Sequence, residues 1–222
     1  MATTQQTSQP ARLSQRAVTE IYTRLAPLYD LWGWLTETRA RRRCLEWAEI
    51  QDGEAVLEVA TGTGLTFAEI LKRNPSGRNE GIDLTPAMLD RANRRVAALG
   101  RRNYRLSVGD AYALKYPSET FDVVINNFMF DLLPEPDFVM VLSEFKRVLR
   151  PRGRLVLANM AHGERWYHRT WEIVYRIAPS LMGGCRGVAL RDPLQALGFK
   201  DVRREFISQM TFPAEVVFGV KL

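Results

Sequence analysis

Apolar, strand-like runs alternate with amphipathic, helix-like stretches along most of this chain, and this alternation constrains the fold more than any other feature. The first run, Glu54–Ala60, precedes the helical pattern of Leu65–Arg73. The later elements are predicted as strand Asn79–Leu84, helix Pro86–Leu99, strand Tyr104–Val108, strand Phe121–Asn126, helix Asp137–Leu149 and strand Gly153–Met160. Right-handed crossovers between such strands produce a parallel sheet that binds ligands beyond the carboxyl ends of its strands. We therefore predict a doubly wound, Rossmann-like α/β domain.

The C-terminal part of the chain departs from this alternation. Two strand candidates, Lys200–Ser208 and Glu215–Lys221, are separated by a short turn and are predicted to pair antiparallel. The expected result is a seven-stranded sheet that is mostly parallel, with an antiparallel C-terminal hairpin strand. Residues 161–189 combine an aromatic helix, Trp166–Ile177, with a glycine-containing loop, and this insertion is predicted to form a lid.

The N-terminal part has two different compositions. Residues 1–13 are polar and without periodicity, which predicts a disordered tail. Residues 14–50 show helical spacing interrupted at Pro27 and are predicted to form a helical cap. The 222 residues suffice for one hydrophobic core, so residues 14–222 are expected to form a single domain.

Charge and apolar content limit the classes of partner. No apolar stretch approaches the roughly 20 residues that cross a bilayer, and Met1–Ser14 has no apolar signal region, so we expect a cytoplasmic protein. Cys44 and Cys185 are expected to be reduced, and their spacing gives no zinc pattern, so no metal is expected. The net charge of +6 could attract an anionic membrane or a nucleic acid. We favour a scattered charged surface over a nucleic-acid groove and expect no nucleic-acid partner. The tryptophan-bearing N-terminal helices could touch a membrane peripherally or pack as a cap.

The segment Val56–Gly64 carries the densest chemical signal. It runs from a buried strand into a glycine-containing turn and then a helix, so a ligand can lie against the backbone and an anion can meet the helix start. This turn alone does not distinguish among nucleotide-like ligands. Two acidic residues at the ends of later strands narrow the range of ligands. Asp83 follows Gly64 by about 20 residues and can accept hydrogen bonds from ribose hydroxyls, and Asp110 could accept a hydrogen bond from the exocyclic adenine amine. For both acids, the simpler alternative is a helix cap or a turn.

Taken together, these motifs resemble the class I S-adenosylmethionine-dependent methyltransferases. Within them, the chain is similar to the ubiquinone/menaquinone C-methyltransferase-like group, which includes bacterial phospholipid N-methyltransferases. The matching motifs are Leu28–Asp30, Glu58–Gly64, Gly81–Leu89, Gly109–Ala111, Phe121–Val124 and Arg147–Gly153, in matching order. The resemblance implies S-adenosylmethionine as cofactor and S-adenosylhomocysteine as product.

The resemblance also assigns roles to individual positions. It implies that Glu58 and the glycine turn hold the methionine end, that Asp83 holds the ribose, and that Asp110 with Ala111 holds the adenine. The cofactor-binding residues so implied are Glu58, Ala60, Thr61, Gly62, Gly64, Asp83, Leu84, Met88, Asp110, Ala111 and Asn127. The family usually has glycine where this chain has Ala60, so the backbone there should approach the ligand less closely.

Methyl transfer from a sulfonium mainly requires alignment of donor and acceptor. A base is needed only if the acceptor starts protonated. The candidate catalytic residues are Asp131 and Tyr29, followed by His162 and His168; many relatives carry histidine at the position of Asp131. The expected acceptor is a small organic or lipid-like molecule, either a quinol or phenol carbon or oxygen, or a phospholipid amine.

Three other functions remain open at this stage. A nicotinamide-dependent oxidoreductase would share the glycine turn and Asp83, but it should have a third glycine where this chain has Phe67. An RNA or protein methyltransferase would suit the positive charge, yet the fourth strand is not followed by an Asn-Pro-Pro-aromatic run. A non-catalytic cofactor-binding protein would retain the fold without turnover.

Overall fold

The computed structural model describes residues 30–177 and 184–222. Their strands form one seven-stranded sheet in the order β3-β2-β1-β4-β5-β7-β6. The strands are β1 Ala55–Val59, β2 Arg78–Asp83, β3 Tyr104–Val108, β4 Phe121–Asn127, β5 Leu149–Met160, β6 Lys200–Gln209 and β7 Phe212–Val220. Strands β1 to β5 pair in parallel, whereas β7 pairs antiparallel with both β5 and β6. This arrangement confirms the predicted α/β sheet and its antiparallel C-terminal strand.

Helices cover both faces of the sheet. They are α1 Thr38–Ala48, α2 Leu65–Arg73, α3 Pro86–Ala97, α4 Phe138–Val148, α5 Arg169–Ile177 and α6 Arg191–Ala196, with short 3-10 turns at Phe130–Leu132, Glu135–Asp137 and Trp166–His168. Residues of α1, α2 and α5 join one core cluster with Val56 and Ile125, while residues of α4 and α6 join a second cluster with Leu57 and Val124. The strand period of two sends neighbouring side chains to opposite layers, which is why both faces of β1 and β4 are apolar.

Most predicted boundaries are correct within a few residues, and the differences have local causes. The predicted helix Asp137–Leu149 is α4, Phe138–Val148, because the chain first makes a 3-10 turn through Glu135–Asp137. The last strand starts at Phe212 rather than Glu215, because Met210 and Thr211 form a tight turn with φ of 47° and 65°. Helix α6 follows the predicted lid and was not predicted. The predicted tail of residues 1–13, the cap residues 14–29 and the lid residues 178–183 lie outside the described residues.

Candidate functional site

The turn after β1 is shaped to bring a ligand against its backbone. Ala60, Gly62 and Gly64 all adopt left-handed conformations, with φ of 58°, 56° and 81°. A side chain built on Gly62 would meet no atom of the chain within 4 Å, whereas one on Gly64 would lie 2.9 Å from the backbone of Ala92 in α3. Glycine therefore serves a different purpose at each position: at Gly64 it lets α2 and α3 pack closely, and at Gly62 it leaves open space in front of the backbone.

Asp83, at the carboxyl end of β2, stabilises this turn by accepting backbone hydrogen bonds. Its Oδ2 accepts a hydrogen bond from the Gly62 amide at 2.8 Å, and its Oδ1 accepts one from the Thr85 amide at 2.8 Å. Burial raises the pKa of Asp83, and these two backbone hydrogen bonds oppose that rise. Each carboxylate oxygen has further acceptor capacity, so the group can also take hydroxyl donors. Thr85, the predicted cap of α3, occupies that position with Pro86 in the first turn, but its side chain makes no cap hydrogen bond.

Glu58 and Asn127 present buried acceptor atoms next to the glycine turn. Glu58 lies on β1, Asn127 ends β4, and both side chains are buried. Among the described residues, neither Oε2 of Glu58 nor Oδ1 of Asn127 has a hydrogen-bond partner. Burial raises the pKa of Glu58 well above its ordinary value, while a hydrogen bond from the Asn127 side chain and the positive charge of Arg41 oppose this rise. Two unpaired buried acceptors are costly unless a ligand donates to them.

The third strand supplies a shallower part of the site. Asp110 is half-buried, and its Oδ1 accepts a hydrogen bond from the Tyr112 amide at 3.0 Å, which is the turn role weighed as the simpler alternative. Ala111 and Met88 are buried, whereas Leu84 is exposed at the rim beyond β2. The side chains assigned to adenine binding therefore line an open edge of the sheet.

The segment before α1 is tied to the glycine turn by an ion pair that the sequence did not reveal. Asp30 accepts hydrogen bonds from the Thr63 hydroxyl and from Arg95 of α3, both at 2.6 Å. Arg95 also donates to the Thr63 carbonyl at 2.5 Å. Burial would raise the pKa of Asp30, but the hydrogen bonds from Thr63 and Arg95 outweigh it, so the pKa is lowered. Asp30 thus ties the segment before α1 to the glycine turn, while Tyr29 lies outside the described residues.

Asp131 lies in the 3-10 turn four residues beyond Asn127 and is fully buried. Its Oδ2 accepts a hydrogen bond from the Met160 amide at 3.4 Å, and its Oδ1 has no partner among the residues described. Burial and the nearby charge of Glu37 raise the pKa of Asp131 to about 7, against the opposing effect of the Met160 amide and Arg186. A carboxylate that titrates near neutral pH can accept or release a proton during turnover.

Arg186, which follows the predicted lid helix, was not identified from the sequence. Its side chain is 1% exposed, and its backbone amide donates to the Asp131 carbonyl at 3.2 Å. Nη2 donates to the Leu133 carbonyl, and the guanidinium lies 5.8 Å from the ring centroid of Phe138. Only the packing of distant segments in the folded chain brings Arg186 to Asp131, so no local motif could have indicated it.

The two histidines have different surroundings. His168 is buried; its Nδ1 accepts a hydrogen bond from the Arg165 amide at 3.1 Å, and its Nε2 lies 3.2 Å from the Ser208 hydroxyl. Burial lowers the pKa of His168. These contacts give it a packing role between the lid segment and β6. His162 follows the end of β5 and is half-buried.

Comparisons with known proteins identify the family of this chain. Residues 56–153 match the family described as a methyltransferase domain. A demethylmenaquinone methyltransferase from Deinococcus radiodurans is 37% identical over 152 residues, which cover 64% of this chain and 59% of that protein. A phosphatidylethanolamine N-methyltransferase from Cereibacter sphaeroides is 37% identical over 145 residues, covering 64% of this chain and 68% of that protein. The chain belongs to the class I S-adenosylmethionine-dependent methyltransferases.

The fold of this methyltransferase is widely shared. A solved structure of the cyclase SpnF has a TM-score of 0.73 and 18% identity, covering 96% of this chain and 97% of that one. Because a cyclase shares the architecture, the fold alone does not specify the reaction. The family membership supports S-adenosylmethionine as cofactor, and the unpaired acceptors beside Gly62 fit its ammonium group.

The described part of the methyltransferase contains neither a metal-binding cluster nor a membrane-spanning helix. Across residues 30–177 and 184–222, no group of three or more His, Cys, Asp or Glu side chains is arranged to hold a metal ion. Within the same ranges, no helix is long and apolar enough to cross a bilayer.

Proposed function

We propose that this methyltransferase binds S-adenosylmethionine at the ends of β1, β2 and β3 and methylates a quinol-like, phenolic or phospholipid-amine acceptor. The observation that carries the proposal is the pair of buried acceptors on Glu58 and Asn127, unpaired among the described residues, beside the open space at Gly62. An ammonium group donates three hydrogen bonds and accepts none, so it is complementary to such a pair.

The other assigned residues complete the cofactor site. Asp83 would accept the ribose hydroxyls, and Asp110 with Ala111 would contact the adenine between Leu84 and Met88. When bound, S-adenosylmethionine supplies an electrophilic methyl group on a positively charged sulfur. The chain's own contribution is to hold donor and acceptor in line and to exclude water, which can correspond to effective molarities of about 10⁵–10⁸ M.

Asp131 is the proposed base for the acceptor. A phenol, a quinol or an ammonium must lose a proton before it can attack, and Oδ1 of Asp131 has no other partner among the described residues. The relatives' names support the two acceptor classes, since one is a quinone-type and the other a phospholipid methyltransferase. Tyr29 remains a second candidate from the sequence.

Calorimetry tests the cofactor proposal directly. S-adenosylhomocysteine should bind, NAD should not, and binding should release protons because the ligand's ammonium stabilises the ionised form of Glu58. Proton release is measured by repeating the titration in buffers of different ionisation enthalpy. Glu58→Gln should weaken binding and abolish most of the release. Glu80→Gln, which alters another buried carboxyl at the side of β2, should change neither. Preferential NAD binding would replace this proposal with the oxidoreductase alternative.

An acceptor screen tests the reaction. Labelled methyl groups should transfer to a quinol, to simple phenols or to phosphatidylethanolamine in vesicles, and the preferred class identifies the acceptor. If S-adenosylhomocysteine binds but no acceptor in the panel is methylated, a non-catalytic binding protein becomes the better description.

We also propose peripheral contact with an anionic membrane. Leu31 and Trp34 are exposed on the helical segment before α1, with Trp34 64% exposed, and Arg39 and Arg42 follow on the exposed side. Met210, 69% exposed, lies at the β6–β7 turn, which neighbours Trp34 since Nε2 of the Gln209 side chain donates a hydrogen bond to the Trp34 carbonyl at 2.7 Å. Apolar side chains flanked by arginine suit a negatively charged lipid surface.

Vesicle co-sedimentation tests this contact. Binding should be stronger to vesicles with anionic lipid than to neutral ones and should decline with salt. Trp34→Ser and Met210→Ser should weaken it, whereas Met140→Ser, which alters an equally apolar exposed position on α4 in the other layer, should not. Equal binding by all three variants would contradict the proposed face.

A further inference from the structure

Arg186 is a buried cation whose hydrogen-bonding capacity is largely unused. Its side chain is 1% exposed, and neither Nε nor Nη1 has a hydrogen-bond partner among the described residues, although both atoms are inaccessible to solvent. Only Nη2 is engaged there, with the Leu133 carbonyl. A buried guanidinium with unpaired N–H groups carries a large desolvation cost, which a bound acceptor oxygen would offset.

Asp131 provides the complementary unused atom nearby. The two residues are joined through the Arg186 amide and the Asp131 carbonyl, 3.2 Å apart, and their side-chain charges influence one another. In the part of the chain that the structure describes, Oδ1 of Asp131 is also buried and unpaired, so the two side chains do not satisfy each other. Three further titratable groups act on this pair. Glu37, directly before α1, acts to raise the pKa of Asp131, and Tyr175 of α5 and Glu135 of the 3-10 turn before α4 act to raise the pKa of Arg186.

The pair therefore offers donors on one side and an acceptor on the other. A hydroxyl group satisfies both, since it donates its proton and accepts through its oxygen. A phosphate diester has only acceptor oxygens and would be repelled by the Asp131 carboxylate. The unused atoms thus favour a hydroxyl that can ionise.

We propose that Arg186 binds the hydroxyl oxygen of the methyl acceptor and stabilises the oxyanion that forms when Asp131 removes the proton. The proton passes from the hydroxyl oxygen to Oδ1 of Asp131, and both electrons of the O–H bond remain on the oxygen, which faces the guanidinium. Asp131 holds this proton while the acceptor is bound and releases it after the product has left. Preorganised charge in a water-excluded site stabilises developing charge more strongly than it would in water. This inference rests on the proposed function, because it requires the methyl acceptor to bind at Asp131, in the 3-10 turn that follows Asn127.

The probe for this inference is 4-nitrophenol, whose ionised form absorbs at a longer wavelength than the neutral form. The wild-type protein should bind the ionised form and lower the pKa of the bound probe. Arg186→Gln should weaken binding of the ionised form by about ten-fold or more, the effect of losing a hydrogen bond between charged groups, and remove that pKa change. Arg186→Lys should restore part of both. Asp131→Asn should bind the ionised probe at least as well as the wild type, because a negative charge is removed.

Controls separate this inference from folding and from the proposed function. Arg154→Gln, which removes a half-buried guanidinium paired with Glu54 near the amino end of β1, should bind the probe as the wild type does. S-adenosylhomocysteine calorimetry verifies each variant's fold, and absence of binding by the wild type would overturn the proposed function instead.

If Arg186→Gln does not fold, Arg186→Lys carries the test. A lysine variant that binds the ionised probe as tightly as the wild type contradicts a role for the guanidinium fork. Unchanged binding in a folded Arg186→Gln variant overturns the inference. The inference is also overturned if glycerophosphoethanolamine displaces the probe from the wild type but not from the Arg186 variants, because Arg186 would then bind a phosphate.

Discussion

The cofactor side and the acceptor side of this site are built in different ways. On the cofactor side, the glycine turn and Asp83 come from consecutive strand–helix units, and the carboxylate is already hydrogen-bonded to the Gly62 and Thr85 amides. On the acceptor side, Asp131 and Arg186 come from distant segments and keep buried polar atoms that no described residue pairs. The ribose end of the cofactor side, at Asp83, is thus preorganised by its own backbone. The acceptor side depends on what binds there, as do the unpaired acceptors of Glu58 and Asn127 at the methionine end of the cofactor side.

The largest expected effect comes from the acceptor side. Asp131→Asn keeps the shape of the side chain but removes the base, so kcat for an acceptor with an ionisable hydroxyl should fall about 10²–10⁴-fold. Binding of S-adenosylhomocysteine should be unchanged, because Asp131 belongs to the other side. Single-turnover methyl transfer and calorimetry on the same preparation check both halves. A kcat close to that of the wild type would mean that Asp131 is not the base for this acceptor.

A smaller effect is expected from the cofactor side. Asp83→Ala removes a charged acceptor for the ribose and leaves the Gly62 and Thr85 amides without their partner. Hydrogen bonds to charged groups contribute about 1.5–3 kcal/mol each, so affinity for S-adenosylhomocysteine should fall about 10–100-fold. Asp90→Ala, an exposed position on α3, is the matched control. Equal losses in both variants would indicate a general effect of acid removal on a basic protein.

The same contrast explains how much was predictable from the sequence. Glu58, Gly62 and Asp83 are identified by local patterns, because a strand end, a turn and a helix start follow one another along the chain. Asp131 was identified as following β4, but its burial next to Glu37 depends on how α1 packs. Arg186 and the ion pair of Asp30 with Arg95 depend on contacts between segments far apart in sequence, and no periodicity records such contacts. The short turn between the last two strands was predicted, but its position at Met210 and Thr211 was not, because neither residue favours a positive φ.

The pH dependence of stability offers a third test of the acceptor side. The pKa of Asp131 is raised from 3.8 to about 7, so the folded state holds a proton that the unfolded chain loses at lower pH. The contribution of Asp131 to stability is therefore neutral below the unfolded pKa, declines as pH rises between the two values, and is unfavourable but constant above the folded one. Asp131→Asn should match the wild type near pH 4 and exceed its free energy of unfolding at pH 8. The expected excess is about 1.4 kcal/mol for every ten-fold by which the folded protein binds this proton more tightly than the unfolded chain does.

Denaturant unfolding at both pH values measures this difference. Glu58, Asp83 and Glu215 also have raised pKa values through burial, so the wild-type curve alone is not diagnostic. The difference between the wild type and Asp131→Asn isolates one carboxyl. A difference that is the same at pH 4 and pH 8 would contradict a raised pKa at Asp131.

The smallest expected effect tests the strain on the cofactor side. Ala60 has a φ of 58°, a conformation that costs an L-residue about 1–2 kcal/mol relative to glycine. Glycine loses more backbone entropy on folding, by about 0.4–1 kcal/mol, so Ala60→Gly should stabilise the protein by about 1 kcal/mol or less. Ala60→Val should destabilise it, since a β-branched residue tolerates this φ poorly. Denaturant unfolding of the three proteins measures both signs. If Ala60→Gly also tightens S-adenosylhomocysteine binding, the alanine methyl was limiting the ligand's approach. If only stability changes, the turn was already in its binding conformation, as the hydrogen bonds of Asp83 to this segment lead us to expect.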